Sequence, residues 1–359
     1  MRPRLRPLSC DHLIVGAGST GLAVADHLLR REAGSVILLD RLETPQAKIG
    51  ESKVPLIYPP EATEAALSLD DAARRGLELY EGWSSWLEKD PGFRKCGALI
   101  IGEDVSSGGE ELTASELQRR WSGLGEWSET VNFDFRSGIA DGQEVLGALL
   151  WRLRKSGGRF YGGNTLQLLE EQQDGVHFVT SRREGFAGKV YLCHGAAAPF
   201  LIKDLGVRHR QKIETLCEFT LGFSGDLPPL VHWPREKATL YATESGSIEL
   251  HLVTDPGDLL PGGNLSTAEV DWKRLGEFRE SWDSRIPGLA DAVIRKARAR
   301  HRRACDSASL EVVTSAHGRI LMPAAAGDFH ELLFPALSET LVEQALSGAT
   351  GGLLEDLEG

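Results

Sequence analysis

Three glycines near the start of the chain have the spacing of a phosphate-binding loop. Gly16, Gly18 and Gly21 follow an apolar run and precede a helix-like segment. The first glycine of such a loop makes a tight turn, the second admits a pyrophosphate close to the backbone, and the third lets the helix pack against the strand. Unpaired N–H groups at the helix start then bind phosphate oxygens. We therefore predict a dinucleotide site formed by Gly16, Ala17, Gly18, Ser19, Thr20 and Gly21.

An acidic residue ends the next predicted strand, residues 35–40. Asp40 lies 19 residues after Gly21, where a carboxylate can accept hydrogen bonds from a ribose. The order strand, glycine loop, helix, strand is the first unit of a doubly wound α/β sheet. These residues predict a dinucleotide and leave its identity open.

Composition excludes several classes of protein. A chain of 359 residues is long enough for a large core and typically forms two domains. Its net charge of −12 argues against binding to nucleic acid or to an anionic membrane surface, and its apolar runs are too short to span a bilayer. The scattered cysteines have no metal-ligand spacing and fit reduced thiols, so we expect no metal site and a cytoplasmic location. They are Cys10, Cys96, Cys193, Cys217 and Cys305.

Hydrophobic periodicity predicts further helices and strands along the chain. Helices are expected within 60–90, after the N-cap signature at Thr113, over 143–155, over 269–283 and at the end of 319–348. Strands are expected at 96–102, 159–169, 175–180 and 189–195, and the alternating segments 218–223, 238–243 and 247–253 predict an antiparallel sheet. No linker separates the segments of the doubly wound sheet from those of the antiparallel sheet, so the second domain is expected to interleave with the first.

The order of several motifs resembles the D-amino-acid oxidase superfamily of flavoproteins, and in particular its branch of monomeric sarcosine oxidase and pipecolate oxidase. The matching segments are 93–101, 112–117, 135–141, 189–196, 285–289 and 314–323. The resemblance implies an α/β fold in which a Rossmann-type FAD-binding domain interleaves with an α+β substrate domain on a mostly antiparallel sheet. The expected FAD domain comprises 8–50, 138–213 and 305–359, and the expected substrate domain comprises 51–137 and 214–304.

The resemblance also implies where an extended FAD would lie. Asp40 would bind the ribose, with Arg41 beside the adenine and Leu166 against it. The pyrophosphate would lie near Gly195 and Ala196. The isoalloxazine ring would be lined by Gly50, Glu51 and Ser52, and the flavin would be covered by Gly327, Asp328 and Phe329. Cys305 lies nine residues before Thr314, too far for the covalent attachment seen in that branch, so non-covalent FAD is expected.

Four side chains are candidates for the reaction itself. Lys53 occupies the position of a family arginine and would orient an anionic substrate, unless it is a solvated surface lysine. Glu249 stands where the branch carries an oxygen-activating lysine. Glu249 and His251 share one side of a strand and would act as a base or bind an amine, unless that side is an outward charged face. His330 matches a family histidine and is expected near the flavin.

The resemblance implies an FAD-dependent oxidoreductase that acts on a small molecule, oxidising the C–N bond of an amine or amino acid by hydride transfer to flavin N5 with an imine as product. A flavin monooxygenase or halogenase is the alternative, because Ile49–Pro55 resembles a halogenase loop and Gly327–Asp328 with Pro335 resembles a hydroxylase turn. The halogenase Trp-x-Trp-x-Ile-Pro segment is missing from the sequence. A third alternative is a flavin-binding partner protein that has lost catalysis, which the altered Glu249 permits.

Overall fold

A computed structural model describes residues 7–44, 53–59, 64–102, 109–127, 131–199, 201, 205, 211–243, 246–255, 267–305, 312–323 and 325–347. In chain order the elements are β1 (Leu8–Val15), α1 (Ser19–Arg30), β2 (Val36–Leu39), β3 (Lys53–Leu56), α2 (Glu64–Glu81), α3 (Trp83–Leu87), β4 (Ala98–Ile100), β5 (Gly109–Leu112), α4 (Ala114–Arg120), β6 (Val131–Asp134), β7 (Gly138–Asp141), α5 (Gly142–Lys155), β8 (Arg159–Tyr161), β9 (Leu166–Glu171), β10 (Val176–Thr180), β11 (Glu184–Leu192), β12 (Gln211–Gly222), β13 (Leu230–Trp233), β14 (Ala238–Ala242), β15 (Ser247–Thr254), α6 (Trp272–Trp282), β16 (Val293–Cys305), β17 (Val313–Thr314), β18 (Ile320–Met322) and α7 (His330–Ser347).

The first sheet has the doubly wound form that the sequence predicts. Its main path runs β17-β18-β11-β1-β2-β8, and the hairpin of β9 and β10 joins it through β11. Strand β1 lies between β2 and β11 and pairs with both in parallel. Because the carboxyl ends of parallel strands meet at one edge, the loop that follows β1 lies beside the segments that follow β2 and β11.

Helices cover one face of this sheet and form its larger core. Apolar residues of α1, α2, α3, α5 and α7 belong to a single buried cluster. The contact between α2 and α7 is close, since a Cβ at Gly76 would lie 2.2 Å from the carbonyl oxygen of Leu332. The domain division stays a prediction, and within it α2 and α3, which were expected in the substrate domain, share their core with the helices of the nucleotide-binding sheet.

A proline removes one hydrogen bond from within helix α7, and a tyrosine of α2 replaces it. Pro335 has no N–H, so the carbonyl of Glu331, four residues earlier, has no donor within the helix. The hydroxyl of Tyr80 in α2 donates to that carbonyl at 2.9 Å. Tyr80 is 2% exposed, and it therefore satisfies a buried backbone acceptor that would otherwise cost stability.

The second sheet is mostly antiparallel, as expected, and has the order β16-β12-β15-β14-β13-β4-β6-β5. One of its faces packs on α6 through a cluster rich in aromatic residues. Within it the ring of Trp233 lies 5.3 Å from that of Phe278 and 5.1 Å from that of Trp282. The sequence did not predict β16, although β16 is the edge strand that completes this sheet. Strands β3 and β7 form a separate antiparallel pair.

Local sequence signals predicted several elements well. The N-cap signature before α4 is a complete capping box, in which Glu116 N–H donates to the Thr113 hydroxyl and Thr113 N–H donates to the Glu116 carboxylate. Helix α5 begins where Asp141 accepts from the N–H groups of Gln143 and Glu144. None of the helices within the described residues is long and apolar enough to cross a membrane.

Candidate functional site

Two of the three loop glycines are required by the packing of the loop itself. Gly16 has φ of +107°, and a Cβ there would lie 2.6 Å from the carbonyl oxygen of Cys193. A Cβ at Gly21 would lie 1.9 Å from the carbonyl oxygen of Gly16. The glycines therefore make the tight turn and the close approach of helix to strand that their spacing predicts.

The remaining glycine faces open space that fits a pyrophosphate. A Cβ at Gly18 would meet no described atom within 4 Å, and the same holds at Gly195. These positions are neighbours, because Gly16 abuts the chain at Cys193 and His194. Gly18 caps α1 without a side-chain hydrogen bond, and the first turn of α1 contains no acidic residue. The open cradle beside the start of α1 thus fits a dinucleotide's diphosphate.

Asp40 joins the glycine loop to the end of β2. Its buried carboxylate accepts from Ala17 N–H at 2.7 Å and from Leu42 N–H at 2.8 Å. The Asp40 carbonyl accepts from Asn164 N–H at 2.7 Å, which brings the start of β9, with Leu166, to this side of the sheet. The predicted bond to ribose stays a prediction, as do the adenine contacts of exposed Arg41 and of Leu166. Gly50, Glu51 and Ser52 lie outside the described residues.

The second sheet turns a polar face away from its tryptophan cluster. Successive side chains of a strand point to opposite faces, and Phe219, Leu250 and Ala297 pack with the aromatic cluster. Their neighbours in sequence therefore lie on the other face. We call this surface the polar sheet face, formed by Glu218, Thr220, Tyr241, Glu249, His251, Lys296, Arg298 and Arg300.

A chain of hydrogen bonds links three of the residues near this face. The Tyr241 hydroxyl donates to the Lys53 carbonyl at 2.7 Å and lies 3.1 Å from His251 Nε2. Since the one hydroxyl proton of Tyr241 goes to Lys53, the Tyr241 oxygen accepts from His251 Nε2–H. Burial is the main influence that lowers the pKa of His251 to about 4. His251 is therefore a neutral imidazole near pH 7 with Nδ1 as its acceptor nitrogen.

Glu218 holds two arginines of β16. Its carboxylate lies 2.7 Å from Arg298 Nε and 3.4 Å from Arg300 Nε. Burial would raise the pKa of Glu218, but Arg300, His251 and Arg298 together hold it below its ordinary value. Glu218 is 5% exposed, whereas 48% of the Arg300 side chain is accessible. Burial lowers the pKa of the Arg300 guanidinium, but Glu218 and Glu331 outweigh it and raise that pKa above its ordinary value. Arg300 is therefore a partly accessible cation on the polar sheet face.

Glu249 has an environment different from that of Glu218. Its Oε1 accepts from the Thr220 hydroxyl at 2.7 Å, and the described residues offer its carboxyl no ion pair. Burial is the main influence that raises the pKa of Glu249 above its ordinary value, although Arg298 and Lys296 act in the opposite direction at longer range. Glu249 is thus a half-buried carboxyl on the same face as His251.

The turn Gly327–Phe329 connects the polar sheet face with the nucleotide loop. Asp328 Oδ1 lies 2.8 Å from Arg302 Nη2 on β16. Two residues later, His330 Nε2 lies 3.5 Å from Thr20 Oγ1 in the first turn of α1. Burial is the main influence that lowers the pKa of His330. Asp328 therefore fixes the turn to the sheet, while His330 lies at the nucleotide side, and their predicted contacts with the flavin stay predictions.

Sequence reasoning missed much of the polar sheet face. Glu249 and His251 were expected to share a side of one strand and do so, and Lys53 joins them through its carbonyl. Tyr241, Glu218 and the arginines of β16 were not singled out. The alternation of alanine and arginine over 297–300 is the period-two signal that would have found β16.

Comparisons with known proteins agree with this geometry. The model of a family described as "DAO: FAD dependent oxidoreductase" matches residues 11–326. A monomeric sarcosine oxidase from Streptomyces avermitilis is 26% identical over 222 residues, which are 55% of this chain and 54% of that protein. The chain thus matches about half the length of this relative.

Solved structures of similar fold match nearly the whole chain. NikD, described as an unusual amino acid oxidase essential for nikkomycin biosynthesis, superposes with a TM-score of 0.77 at 18% identity, covering 96% of this chain and 95% of that one. L-Proline dehydrogenase from P. horikoshii superposes with a TM-score of 0.77 at 16% identity, covering 96% of each chain. Glycine oxidase from Geobacillus kaustophilus superposes with a TM-score of 0.75 at 15% identity, covering 95% of each chain. At these identities the likeness shows the fold.

Proposed function

Because this chain belongs to the DAO family of FAD-dependent oxidoreductases, we propose that it oxidises the C–N bond of a small amine that carries an anionic group, as an amino acid does. The observation that carries this proposal is the Arg300 side chain, which is 48% accessible on the polar sheet face. Glu218 is already paired more closely with Arg298, so Arg300 keeps donors for a substrate carboxylate.

In the proposed reaction a C–H bond next to the nitrogen breaks with its electron pair, and the nitrogen lone pair forms the C=N bond of a protonated imine. Loss of an N–H proton to solvent then gives the neutral imine. FAD, when bound, supplies the two-electron acceptor for that hydride. The nitrogen must be a neutral amine, because a protonated ammonium has no lone pair to form the double bond.

The polar sheet face favours that neutral amine. Where the reacting nitrogen lies closer to the guanidinium groups of Arg298 and Arg300 than to Glu218 or Glu249, those cations lower the pKa of its ammonium form. His251, neutral near pH 7, accepts an N–H hydrogen bond through Nδ1 and holds the amine in place. Its pKa of about 4 makes it a positioning acceptor, since so weak a base does not take a proton from an ammonium at neutral pH.

Anaerobic mixing tests the proposal. The purified holoenzyme is mixed with single amino acids or amines, and loss of the visible flavin absorbance is followed. We expect bleaching by at least one amino acid, and we expect Arg300→Met to raise the concentration of that substrate needed for half-maximal bleaching rate by about tenfold or more. Bleaching by a reduced nicotinamide nucleotide alone would instead support the monooxygenase alternative and overturn the proposal.

We also propose a cytoplasmic location, for which the free thiols of Cys10, Cys96, Cys193 and Cys217 are the support. The electron acceptor is proposed to be a small molecule or protein other than O₂. The support for this is Glu249, a carboxyl in the position where oxidases of the resembling branch carry a lysine.

A further inference from the structure

Glu249 is half-buried and incompletely partnered. Thr220 binds Oε1, and among the described residues no donor binds Oε2. Its register partner on β14 is Tyr241, whose hydroxyl proton goes to the Lys53 carbonyl instead. Oε2 is not one of the buried oxygens without a partner, so it is an acceptor that water or a ligand can reach.

Glu249 is also a close neighbour of the arginine cluster without being part of it. Glu218 pairs in register with His251, and Thr220 pairs with Glu249. Glu218 and Glu249 are therefore diagonal neighbours on adjacent strands, a relation in which the two backbones are typically about 7–8 Å apart. The Arg300 guanidinium lies at Glu218. Arg300 pairs with Leu216, whereas Glu249 pairs with Thr220, four residues further along β12. The cation and the carboxyl therefore lie on either side of Glu218 on the same face, separated by a span that one ligand with two opposite charges can bridge.

We propose that Glu249 binds a second, cationic group of the substrate, so that the substrate class is an amino acid whose side chain carries an ammonium or guanidinium group. The inference rests on the proposed function, because it assigns the substrate's carboxylate to Arg300. A side-chain cation beside Glu249 is attracted to its carboxylate by the opposite charge. It also sets the orientation of the substrate, since reversing the molecule would bring like charges together at both positions.

Matched ligands that cannot be oxidised test this directly. Trimethylammonio carboxylates have no nitrogen lone pair, and replacing the nitrogen by carbon gives tert-butyl carboxylates of the same shape without the positive charge. A series of chain lengths of both is titrated into the holoenzyme, and Kd is measured by calorimetry and by perturbation of the flavin spectrum. We expect one chain length at which the cationic ligand binds roughly tenfold more tightly than its carbon isostere.

Glu249→Gln keeps the shape and the Thr220 hydrogen bond but removes the charge. In this variant we expect the affinity of the cationic ligand to fall to that of its isostere, with the isostere's Kd unchanged. In Glu249→Lys we expect the isostere to bind more tightly than the cationic ligand. Glu277→Gln, the same change at an exposed carboxyl of α6 on the opposite side of the sheet, should leave the preference intact. Equal binding of both ligands at every chain length, or binding of neither, would overturn the inference.

The outcomes separate this inference from the proposed function. If amino acids bleach the flavin but the charged ligand has no advantage, the C–N oxidation stands and the second subsite is wrong. If the charged ligand has a Glu249-dependent advantage but no amine or amino acid bleaches the flavin, the binding site for a zwitterion stands and the proposed reaction is wrong.

Discussion

Replacing Tyr80 by Phe should destabilise the protein through a single backbone carbonyl. Phe keeps the ring that packs 4.8 Å from Trp83 and 5.5 Å from Phe93, and it removes the hydroxyl that donates to Glu331 O. Leaving a buried acceptor unsatisfied costs about 1–3 kcal/mol. For a chain of this length that corresponds to a fall of about 1–4 °C in Tm.

The proline in α7 provides the matched control. Pro335→Ala supplies the missing N–H, so that the helix itself can donate to Glu331 O. In that background Tyr80→Phe should cost less than in the native chain, by about 1 kcal/mol of coupling. Burial holds the pKa of Tyr80 well above its ordinary value, so its hydroxyl stays a donor throughout the neutral pH range and the effect should not change there.

Urea unfolding of the four holoenzymes, followed by tryptophan fluorescence, measures the cycle. The reasoning is refuted if Tyr80→Phe costs the same with and without Pro335, because the hydroxyl would then act independently of the missing helix donor. It is also refuted if the single variant is as stable as the native protein.

Three further outcomes are expected. Gly18→Val should fold, since no described atom lies within 4 Å of a Cβ there, but it should lose FAD because the side chain fills the phosphate cradle. Gly21→Val should fail to fold, because its Cβ would collide with the Gly16 carbonyl oxygen. Circular dichroism together with flavin content distinguishes the two outcomes. Acid precipitation should release the yellow colour into the supernatant, whereas colour retained in the pellet would indicate a covalent link, first of all at Cys305. Glu249→Lys should speed reoxidation of the photoreduced enzyme by O₂ by about tenfold or more, since each 1.4 kcal/mol of added stabilisation of the developing anion is worth about that factor; stopped-flow rates unchanged by the substitution would place Glu249 away from the flavin.

The parts of the site that the sequence predicted are those encoded by neighbouring residues. The spacing of Gly16, Gly18 and Gly21 determines a turn, a cradle and a helix contact within six residues, and Thr113 with Glu116 determines a helix start in the same local way. Such signals need no knowledge of the rest of the fold, and for this reason they were found.

The polar sheet face depends on pairing between distant segments. Glu218 meets Arg298, 80 positions later in the chain, only because β12 pairs with β16. The same holds for Tyr241 and Lys53, which are 188 positions apart. A basic, polar segment such as β16 resembles a solvated strand or helix until its partner strand is known, so its alternation alone did not reveal its place in the site.

The alternation in β16 has a consequence for how this enzyme can change over evolutionary time. Ala297 and Ala299 pack against the aromatic core, while Arg298 and Arg300 between them point to the opposite face. Substitutions at the arginines therefore alter the charges offered to a substrate and leave the packing beneath them intact. The alanines thus serve folding, whereas the arginines serve recognition and also neutralise buried Glu218. New specificities can therefore arise in this strand through changes that keep a cation beside that carboxylate.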